Sequence, residues 1–406
     1  MLPRPPGLTT AALVTVGLLA AVTACSPPPD DAAPASAESA GDHGEIAGAV
    51  ELAEPALGLT TVDATGAVRH LDLLDESVTD LADLDPPGAV HTDGRFVFVQ
   101  TTSGVEVVDS GVWTWDHVDH FHYYRAEARP VGRLDARGPA TVVTTTSSTS
   151  GGSGVFLQRT GEAVMLDTGA LADGELTERY RVNATPGAGL LVPVGEHALL
   201  AEGDRVTVLD ADGVRGAEHP CPAAAGTIAT RVGTVVGCRD GALLAVSGDD
   251  GPAIERVPYP DGPVPPATDF AGRDGRPTVA GLAGPRRVWL LDTRQRSWSL
   301  LRSPRPLVAV TAVDDDGEHV LGLTTDGRVL VLDGGSGDVV GLSEPLARAS
   351  LRAGRGVPTL VADQQRAYLS APVERRLHEI DFADGARVSR TFETPSEPLF
   401  VAGTGR

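Results

Sequence analysis

Short runs in which hydrophobic and polar residues alternate recur along most of the chain from about residue 44. Such alternation places successive side chains on opposite faces of a β-strand. Several of these runs meet at an Asp-Gly pair, which tolerates the positive φ angles of a tight hairpin turn. The pairs are Asp93-Gly94, Asp212-Gly213, Asp240-Gly241 and Asp326-Gly327. Because no segment keeps a helical apolar period over a dozen residues, the pattern predicts an all-β protein built from hairpins.

The hairpin pattern continues to the end of the chain without a linker-like change in composition. The Ser, Thr and Gly run at Thr144–Gly154 is interpreted as a long surface loop. A single β-propeller suits such a chain because closing the ring leaves few sheet edges exposed. Two β-sandwich domains are the alternative. Residues 45–400 span 356 positions, so seven blades take roughly 51 residues each and eight take roughly 44. Seven blades are preferred, although the length does not fix the number.

The first 44 residues differ from the rest and predict an export signal. An apolar run from Leu8 to Ala21 precedes Val22-Thr23-Ala24-Cys25, which is typical of a bacterial lipobox. An ordinary signal peptide with an incidental cysteine is the alternative. The prediction is a lipoprotein signal peptide at residues 1–24, a disordered tether at 25–44 and a propeller at 45–406. We therefore expect lipidation of Cys25 and a location on the extracytoplasmic face of the cell membrane, with the lipid as the only membrane anchor.

Charge and composition exclude several classes of function. The net charge is −22, with 55 acidic and 33 basic residues, and nucleic-acid binding needs a basic surface that this balance does not supply. All the basic residues are arginine, which excludes Schiff-base chemistry and a P-loop lysine. No nucleophile-elbow motif occurs. We expect a monomer without enzymatic activity; a metal-dependent hydrolase on a propeller is the enzymatic alternative.

The remaining cysteines, Cys221 and Cys238, are an even pair 17 positions apart. An exported protein meets an oxidising compartment, so a disulfide is expected. Two free thiols or a thiolate metal site are the alternatives, but neither cysteine lies in a C-x-x-C motif.

One segment, Trp113–Arg125, concentrates residues that can bind metal. Three of the ten histidines of the chain fall within six positions, beside two aspartates and among aromatic residues. They are His117, His120 and His122, with Asp116 and Asp119. In an extended chain His120, His122 and Tyr124 share one face, and imidazole suits Zn²⁺, with Cu²⁺ and Ni²⁺ as alternatives. The segment predicts a zinc site; a structural cluster of aromatic and histidine side chains is the other interpretation.

The same segment, preceded by Val105–Gly111, resembles the AztD family of exported zinc metallochaperones. The C-terminal stretch from Ala367 to Gly385 and the pairing of Cys221 with Cys238 are also similar to that family. The resemblance implies a β-propeller that holds Zn²⁺ outside the cytoplasm and passes it to the solute-binding protein of a zinc ABC transporter.

The resemblance also implies histidines on two central loops, which here read Thr185–Gly189 and Cys221–Gly226 and contain none. His219 is expected to substitute for one of them, and His43 in the tether is a candidate for a flexible metal-capturing ligand. The alternative function is a cell-surface propeller that acts as a protein-interaction scaffold without a role in metal transfer.

Overall fold

A computed structural model describes residues 46–116, 120–267 and 269–406. The predicted signal peptide and tether, with Cys25 and His43, lie outside the described residues. The strands of the first third of the chain are β1 (Ala49–Leu52), β2 (Gly58–Val62), β3 (Ala67–Asp72), β4 (Val78–Asp83), β5 (Ala89–Thr92), β6 (Phe96–Gln100), β7 (Gly104–Asp109), β8 (Val112–Asp116), β9 (Phe121–Ala126), β10 (Arg129–Asp135) and β11 (Ala140–Val143). The next are β12 (Gly152–Leu157), β13 (Glu162–Asp167), β14 (Glu178–Asn183), β15 (Gly189–Val194), β16 (His197–Glu202), β17 (Arg205–Leu209), β18 (Arg215–Pro220), β19 (Thr227–Ala229), β20 (Thr234–Cys238), β21 (Gly241–Val246) and β22 (Ala253–Pro258). The last are β23 (Thr278–Leu282), β24 (Arg287–Asp292), β25 (Ser297–Arg302), β26 (Leu307–Ala312), β27 (His319–Thr324), β28 (Val329–Asp333), β29 (Val339–Leu342), β30 (Leu360–Ala362), β31 (Ala367–Ala371), β32 (Arg376–Asp381), β33 (Arg387–Glu393) and β34 (Phe400–Thr404). Two short helices, α1 (Thr168–Asp173) and α2 (Arg348–Ala353), lie in connections.

Within the described residues these strands form nine antiparallel sheets, and eight of them follow one another along the chain as the blades of a propeller. Blades 1 to 4 have the strand orders β34-β2-β3-β4, β5-β6-β7-β10, β11-β12-β13-β14 and β15-β16-β17-β18. Blades 5 to 8 have the orders β19-β20-β21-β22, β23-β24-β25, β26-β27-β28-β29 and β30-β31-β32-β33. In blade 6 the innermost position is held by a single bridge between Ala271 and Ala280 rather than by a full strand.

Hydrophobic clusters between consecutive blades hold the ring together. Each of the eight clusters draws its buried residues mainly from two neighbouring blades. The cluster that closes the ring packs Leu59 and Leu71 of blade 1 against Tyr368, Leu377 and Phe392 of blade 8. The last strand, β34, also pairs with β2 from the other end of the described chain, in register from Gly58 with Thr404 to Val62 with Phe400. The ring is therefore closed both by backbone hydrogen bonds and by the packing of side chains.

The propeller prediction is confirmed, but the preferred number of blades was wrong, since the described residues form eight rather than seven. The strands are only three to seven residues long and are joined by tight turns, so each blade uses fewer residues than the sevenfold division assumes. The long loop predicted at Thr144–Gly154 ends earlier, because β12 begins at Gly152.

The predicted disulfide is present and links two blades. Cys221 follows the outer strand of blade 4, and Cys238 ends β20 of blade 5. Both residues are buried in the cluster between these blades. In the described part of the chain, no helix is long and apolar enough to cross a membrane.

Connections from different blades lie together at one end of the propeller. Neighbouring inner strands run parallel, as the parallel bridges from Thr230 to Gly275 and from Gly272 to Ala312 show. Because each blade is antiparallel, the connection after its first strand and the connection after its third strand lie at the same end. We call this end of the ring the cavity face.

Candidate functional site

The segment that the sequence singled out forms an extra sheet on the cavity face. Between β7 and β10 of blade 2 the chain leaves the blade and makes the hairpin β8–β9, and β1 pairs with the far edge of β9. The register of β1 and β9 runs from Ala49 with Ala126 to Leu52 with Tyr123. We call this sheet of β1, β9 and β8 the inserted sheet. It occupies a connection after a third strand, so it lies beside the turns that follow the inner strands.

Two of the predicted histidines meet on the inserted sheet. The Nε2 atoms of His120 and His122 are 2.8 Å apart, and the other ring nitrogen of His122, Nδ1, lies 2.7 Å from Oε1 of Glu51. His122 is buried, whereas the Glu51 side chain is half-exposed. A carboxylate on Nδ1 fixes the orientation of the ring and directs Nε2 toward a metal ion or a proton. The pair therefore presents two imidazole nitrogens at one point.

A stack of aromatic rings connects this pair to the core of blade 2. The rings of Trp115 and His122 are 5.6 Å apart, those of His122 and Tyr124 are 6.1 Å apart, and those of Tyr124 and Trp113 are 5.1 Å apart. Arg95 of blade 2 lies over the ring of Trp113 at 3.8 Å. Stacked rings of this kind restrict side-chain rotation, so His122 is held in a rigid surrounding.

Arg95 is itself fixed by blade 2. Its guanidinium donates to both carboxylate oxygens of Asp109, at 3.0 and 2.8 Å, and both residues are almost fully buried. Such a two-point bond sets the orientation of the planar guanidinium group. The indole group of Trp113 is therefore stacked on a buried ion pair of the propeller.

The two faces of the inserted sheet have different chemistry because its side chains alternate. The register pairs Trp113 with Tyr124 and Trp115 with His122, so these four side chains share one face, as the alternation predicted for His122 and Tyr124. The intervening residues occupy the other face, which lines a cavity. They are Thr114, Asp116, Phe121 and Tyr123.

Contacts at three points attach the inserted sheet to the ring. Arg125 of β9 forms an ion pair with Asp72 of blade 1 at 2.6 Å. The Thr114 backbone nitrogen donates to the carbonyl oxygen of Arg406 at 3.3 Å, and its hydroxyl donates to the carbonyl oxygen of Gly405 at 3.0 Å. The third attachment is the Arg95–Trp113 stack. The segment that follows β34 therefore supports the hairpin that carries the histidines.

The structure brings together only part of the predicted site. Asp116 ends β8, opposite Phe121, and faces the cavity. His117 and Asp119 lie outside the described residues. His219 lies on β18, the outer strand of blade 4, and the structure does not bring it to the His120–His122 pair. Across the described ranges, no group of three or more His, Cys, Asp or Glu side chains is arranged to hold a metal ion.

Two contributors to the site were not found from the sequence. Glu51 is 71 positions from His122, and its own segment contains nothing that marks it as a histidine partner. Arg95 follows the Asp93-Gly94 turn, which was interpreted only as a hairpin signal. Tertiary structure alone gives these residues their roles.

The first turn of blade 2 carries two buried titratable groups. Burial raises the pKa of Asp93 to about 7, against the opposing effect of backbone donors at Arg95 and Phe96. One Asp93 oxygen, Oδ1, accepts from these two nitrogens, while Oδ2 is buried without a hydrogen-bond partner in the part of the chain that the structure describes. Burial also lowers the pKa of His91 to about 4, and its Nε2 lies 3.0 Å from the Thr144 hydroxyl. Both groups therefore favour the uncharged state.

Solved structures with the same fold include AztD from Citrobacter koseri. The apo form has a TM-score of 0.74 and 19% sequence identity, covering 86% of this chain and 98% of that chain. A second structure of AztD from Citrobacter koseri has a TM-score of 0.73 and 21% identity with the same coverage. The dihydro-heme d1 dehydrogenase NirN, in complex with DHE, has a TM-score of 0.54 and 16% identity, covering 87% of this chain and 76% of that chain. No protein-family model and no curated protein matches the chain. At these identities the similarity concerns the fold, and the chain has the AztD-type β-propeller fold.

Proposed function

We propose that this protein binds Zn²⁺ at the His120–His122 pair. The observation that carries the proposal is the approach of two imidazole nitrogens to 2.8 Å while Glu51 holds the other nitrogen of His122. Imidazole nitrogens are good ligands for Zn²⁺, and a carboxylate behind the ring is the usual way to orient a ligating histidine. Cu²⁺ and Ni²⁺ are the competing metals for the same donors.

The ligands at this pair suit a Zn²⁺ ion that is bound reversibly rather than one held in a permanent structural site. A closed structural zinc site has four protein ligands, whereas the described residues offer two imidazoles at this point. The further ligands predicted from the sequence are Asp116, which ends the adjacent strand, and His117 and Asp119, which lie outside the described residues. At most one of these is expected to be a firm ligand, so the ion keeps three or fewer firm protein ligands and stays exchangeable, as transfer to another protein requires.

We infer from the resemblance in sequence and the shared fold that the carried zinc is delivered to the solute-binding protein of a zinc ABC transporter. Delivery takes place on the extracytoplasmic face of the membrane, where lipid on Cys25 retains the protein. Cys25→Ser is expected to release the chain into the medium, as judged by immunoblotting of membrane and medium fractions. Membrane retention of Cys25→Ser contradicts the lipid anchor.

Equilibrium dialysis of the full chain against Zn²⁺ tests the metal site. His120→Gln combined with His122→Gln is expected to remove most of the affinity, because the site loses both imidazoles. His197→Gln and His219→Gln, on blade 4, are matched controls and are expected to leave the affinity of the His120–His122 site unchanged. If the His120/His122 variant keeps one tightly bound Zn²⁺ per chain, the site lies elsewhere; if His219→Gln lowers the affinity, His219 belongs to the metal site.

Transfer is tested with the zinc-loaded chain and a purified metal-free zinc solute-binding protein. Transfer by contact is expected to be faster in a mixed solution than across a dialysis membrane, which permits only released ions to pass. Equal rates in the two arrangements contradict a delivery role. If the wild-type chain binds no zinc, the result favours the alternative function, a protein-interaction scaffold.

A further inference from the structure

The cavity face of the ring encloses a cavity of about 980 Å³. One wall is the inserted sheet, through Thr114, Asp116, Phe121 and Tyr123. The opposite wall is formed by turns that follow the inner strands of blades 3, 5, 6 and 8 and by the segment after β34. A cavity of this size accepts a ligand of several hundred daltons.

Arginines dominate the charge of this cavity. Its described lining contains six arginines and four carboxylates, although the whole chain carries a net charge of −22. The arginines are Arg231, Arg273, Arg276, Arg366, Arg390 and Arg406. A positive cavity in an acidic protein concentrates anions, because low-dielectric walls strengthen the local field.

Half of these arginines have ion-pair partners and half do not. Arg276 pairs with Asp314, and Arg366 and Arg390 pair with Glu379. For Arg231, Arg273 and Arg406, no carboxylate of the described chain lies within the 4.0 Å ion-pair distance.

Two of these three cations, Arg273 and Arg406, are kept partly out of water, whereas Arg231 is exposed. Burial lowers the pKa of the Arg273 guanidinium, and the neighbouring charge of Arg276 lowers it further. The guanidinium of Arg406 donates from Nη1 to the carbonyl oxygen of Ala362 at 3.0 Å, while its Nε is buried without a hydrogen-bond partner among the described residues. An anion that accepts from these groups would replace the hydration that they have lost.

The other lining residues indicate what kind of anion fits. Thr146, Ser147, Thr149 and Ser150 bring hydroxyl groups from the loop after β11. Two apolar side chains of the lining are exposed, Phe121 of the inserted sheet at 55% and Leu74, after β3 of blade 1, at 83%. The three cations without an ion-pair partner come from three separate segments of the chain, so an anion with more than one charged group matches them best.

We propose that this cavity is a binding site for a small organic anion that carries two or more separated carboxylate or phosphate groups on a carbon framework. The arginines of blades 5 and 6 and of the segment after β34 bind the charged groups, and the exposed apolar residues contact the framework. The site does not include the His120–His122 pair, because neither histidine is among the described residues that line the cavity. All the inserted-sheet residues that line it, except Trp115, lie on the opposite face of the sheet from His122.

Isothermal titration calorimetry of the full chain tests this site with citrate, fructose 1,6-bisphosphate and acetate, each at constant ionic strength. The buffer is freed of metal with a chelating resin, because citrate itself binds zinc. Citrate or fructose 1,6-bisphosphate is expected to bind with one ligand per chain, and acetate, with a single charge, is expected to bind far more weakly. The preferred probe identifies the anionic group as carboxylate or phosphate. Benzene-1,3,5-tricarboxylate is expected to bind more tightly than citrate, and Phe121→Ala is expected to reduce that difference.

The matched variants are Arg231→Gln combined with Arg273→Gln inside the cavity and Arg239→Gln outside it. Arg239 lies on the same blade as Arg231, is exposed and occupies the turn between β20 and β21 at the other end of the ring. The cavity variant is expected to weaken binding at least about tenfold, the effect of losing hydrogen bonds to charged groups, while Arg239→Gln stays within about twofold. Thermal unfolding confirms that both variants fold. Absence of saturable binding of both citrate and fructose 1,6-bisphosphate, or equal affinity in the cavity variant and the wild type, overturns the proposal.

Discussion

The eight blades and the inserted sheet solve different problems with the same strand geometry. In the blades, alternation sends Val, Leu and Ala side chains into clusters shared with the next blade, and nearly every blade repeats this arrangement. In the inserted sheet, alternation separates a face of His, Trp and Tyr from a face that lines the cavity. The ring therefore supplies stability by repetition, whereas the inserted sheet supplies chemistry that occurs once.

This division has a physical origin in where the inserted sheet is attached. A connection between the third and fourth strands of one blade can lengthen without disturbing the clusters between blades, because loop insertions at a surface cost little free energy. The inserted sheet then depends on the ring through a few contacts, chiefly the ion pair of Arg125 with Asp72 and the bonds of Thr114 to the segment after β34. Changes in the ring are therefore expected to alter stability, and changes in the inserted sheet are expected to alter binding.

The largest expected effect is on the ring side of this comparison. Replacing Cys221 and Cys238 together with Ser removes a cross-link between blades 4 and 5 and is expected to lower the free energy of unfolding by about 3 kcal/mol, the chain-entropy estimate for a loop of this length. Denaturant titration measures the loss. Zinc affinity is expected to stay unchanged, because the cross-link lies far from the inserted sheet along the ring; a parallel loss of affinity would show that ring and inserted sheet are not separable.

The next prediction concerns the buried carboxyl group of Asp93 in blade 2 and its effect on the pH dependence of stability. The pKa of Asp93 is raised to about 7 in the folded chain, above the value of about 3.9 in an unfolded chain. The folded state therefore binds this proton more tightly, so the contribution of Asp93 to stability is fully present below about pH 4 and is lost as the pH rises through about 7.

Asp93→Asn keeps an acceptor for the nitrogens of Arg95 and Phe96 but cannot ionise. Relative to this variant, the wild type is expected to lose roughly 2 kcal/mol between pH 5 and pH 7, since each pKa unit corresponds to about 1.4 kcal/mol. Unfolding free energies at the two pH values give the difference, to which His91 contributes equally in both proteins. Parallel stability profiles for the two proteins would contradict a raised pKa at Asp93.

The smallest effect in free energy is on the inserted sheet. Glu51→Gln removes the carboxylate that orients His122 and is expected to weaken zinc binding about tenfold or more, as loss of a residue behind a metal ligand does. Glu54→Gln, an exposed change just after the same strand, is the control. Dialysis measures both affinities, and thermal unfolding is expected to be unchanged in each. Equal zinc affinity in Glu51→Gln and Glu54→Gln would mean that Glu51 does not position the ligand.

The sequence was sufficient for the class of fold and for part of the candidate site. Hairpin turns such as Asp326-Gly327 and the alternating runs on either side specify strands through local preferences alone. His122 and Tyr124 fall on one face because the strand period is two, which needs no tertiary information. The disulfide followed from an even pair of cysteines in a chain predicted to be exported.

The sequence was insufficient wherever a partner is distant along the chain. The blade count depends on how the strands pack into a closed ring, and dividing the length by a typical repeat led to seven instead of the eight observed among the described residues. His219 illustrates the same point. It was expected to belong to the metal site because it lies just before Cys221 in the sequence, but the structure places it on the outer strand of blade 4.

Local patterns by themselves therefore determined that this protein is built of short hairpins with a histidine-rich interruption, because strand, turn and side-chain direction are set by neighbours within a few residues. Tertiary structure alone decided that Glu51 meets His122 across 71 positions and that arginines from blades 5 and 6 and from the segment after β34 line one cavity. These contacts exist because the ring closes and brings the ends of its inner strands together. No short stretch of sequence contains that information.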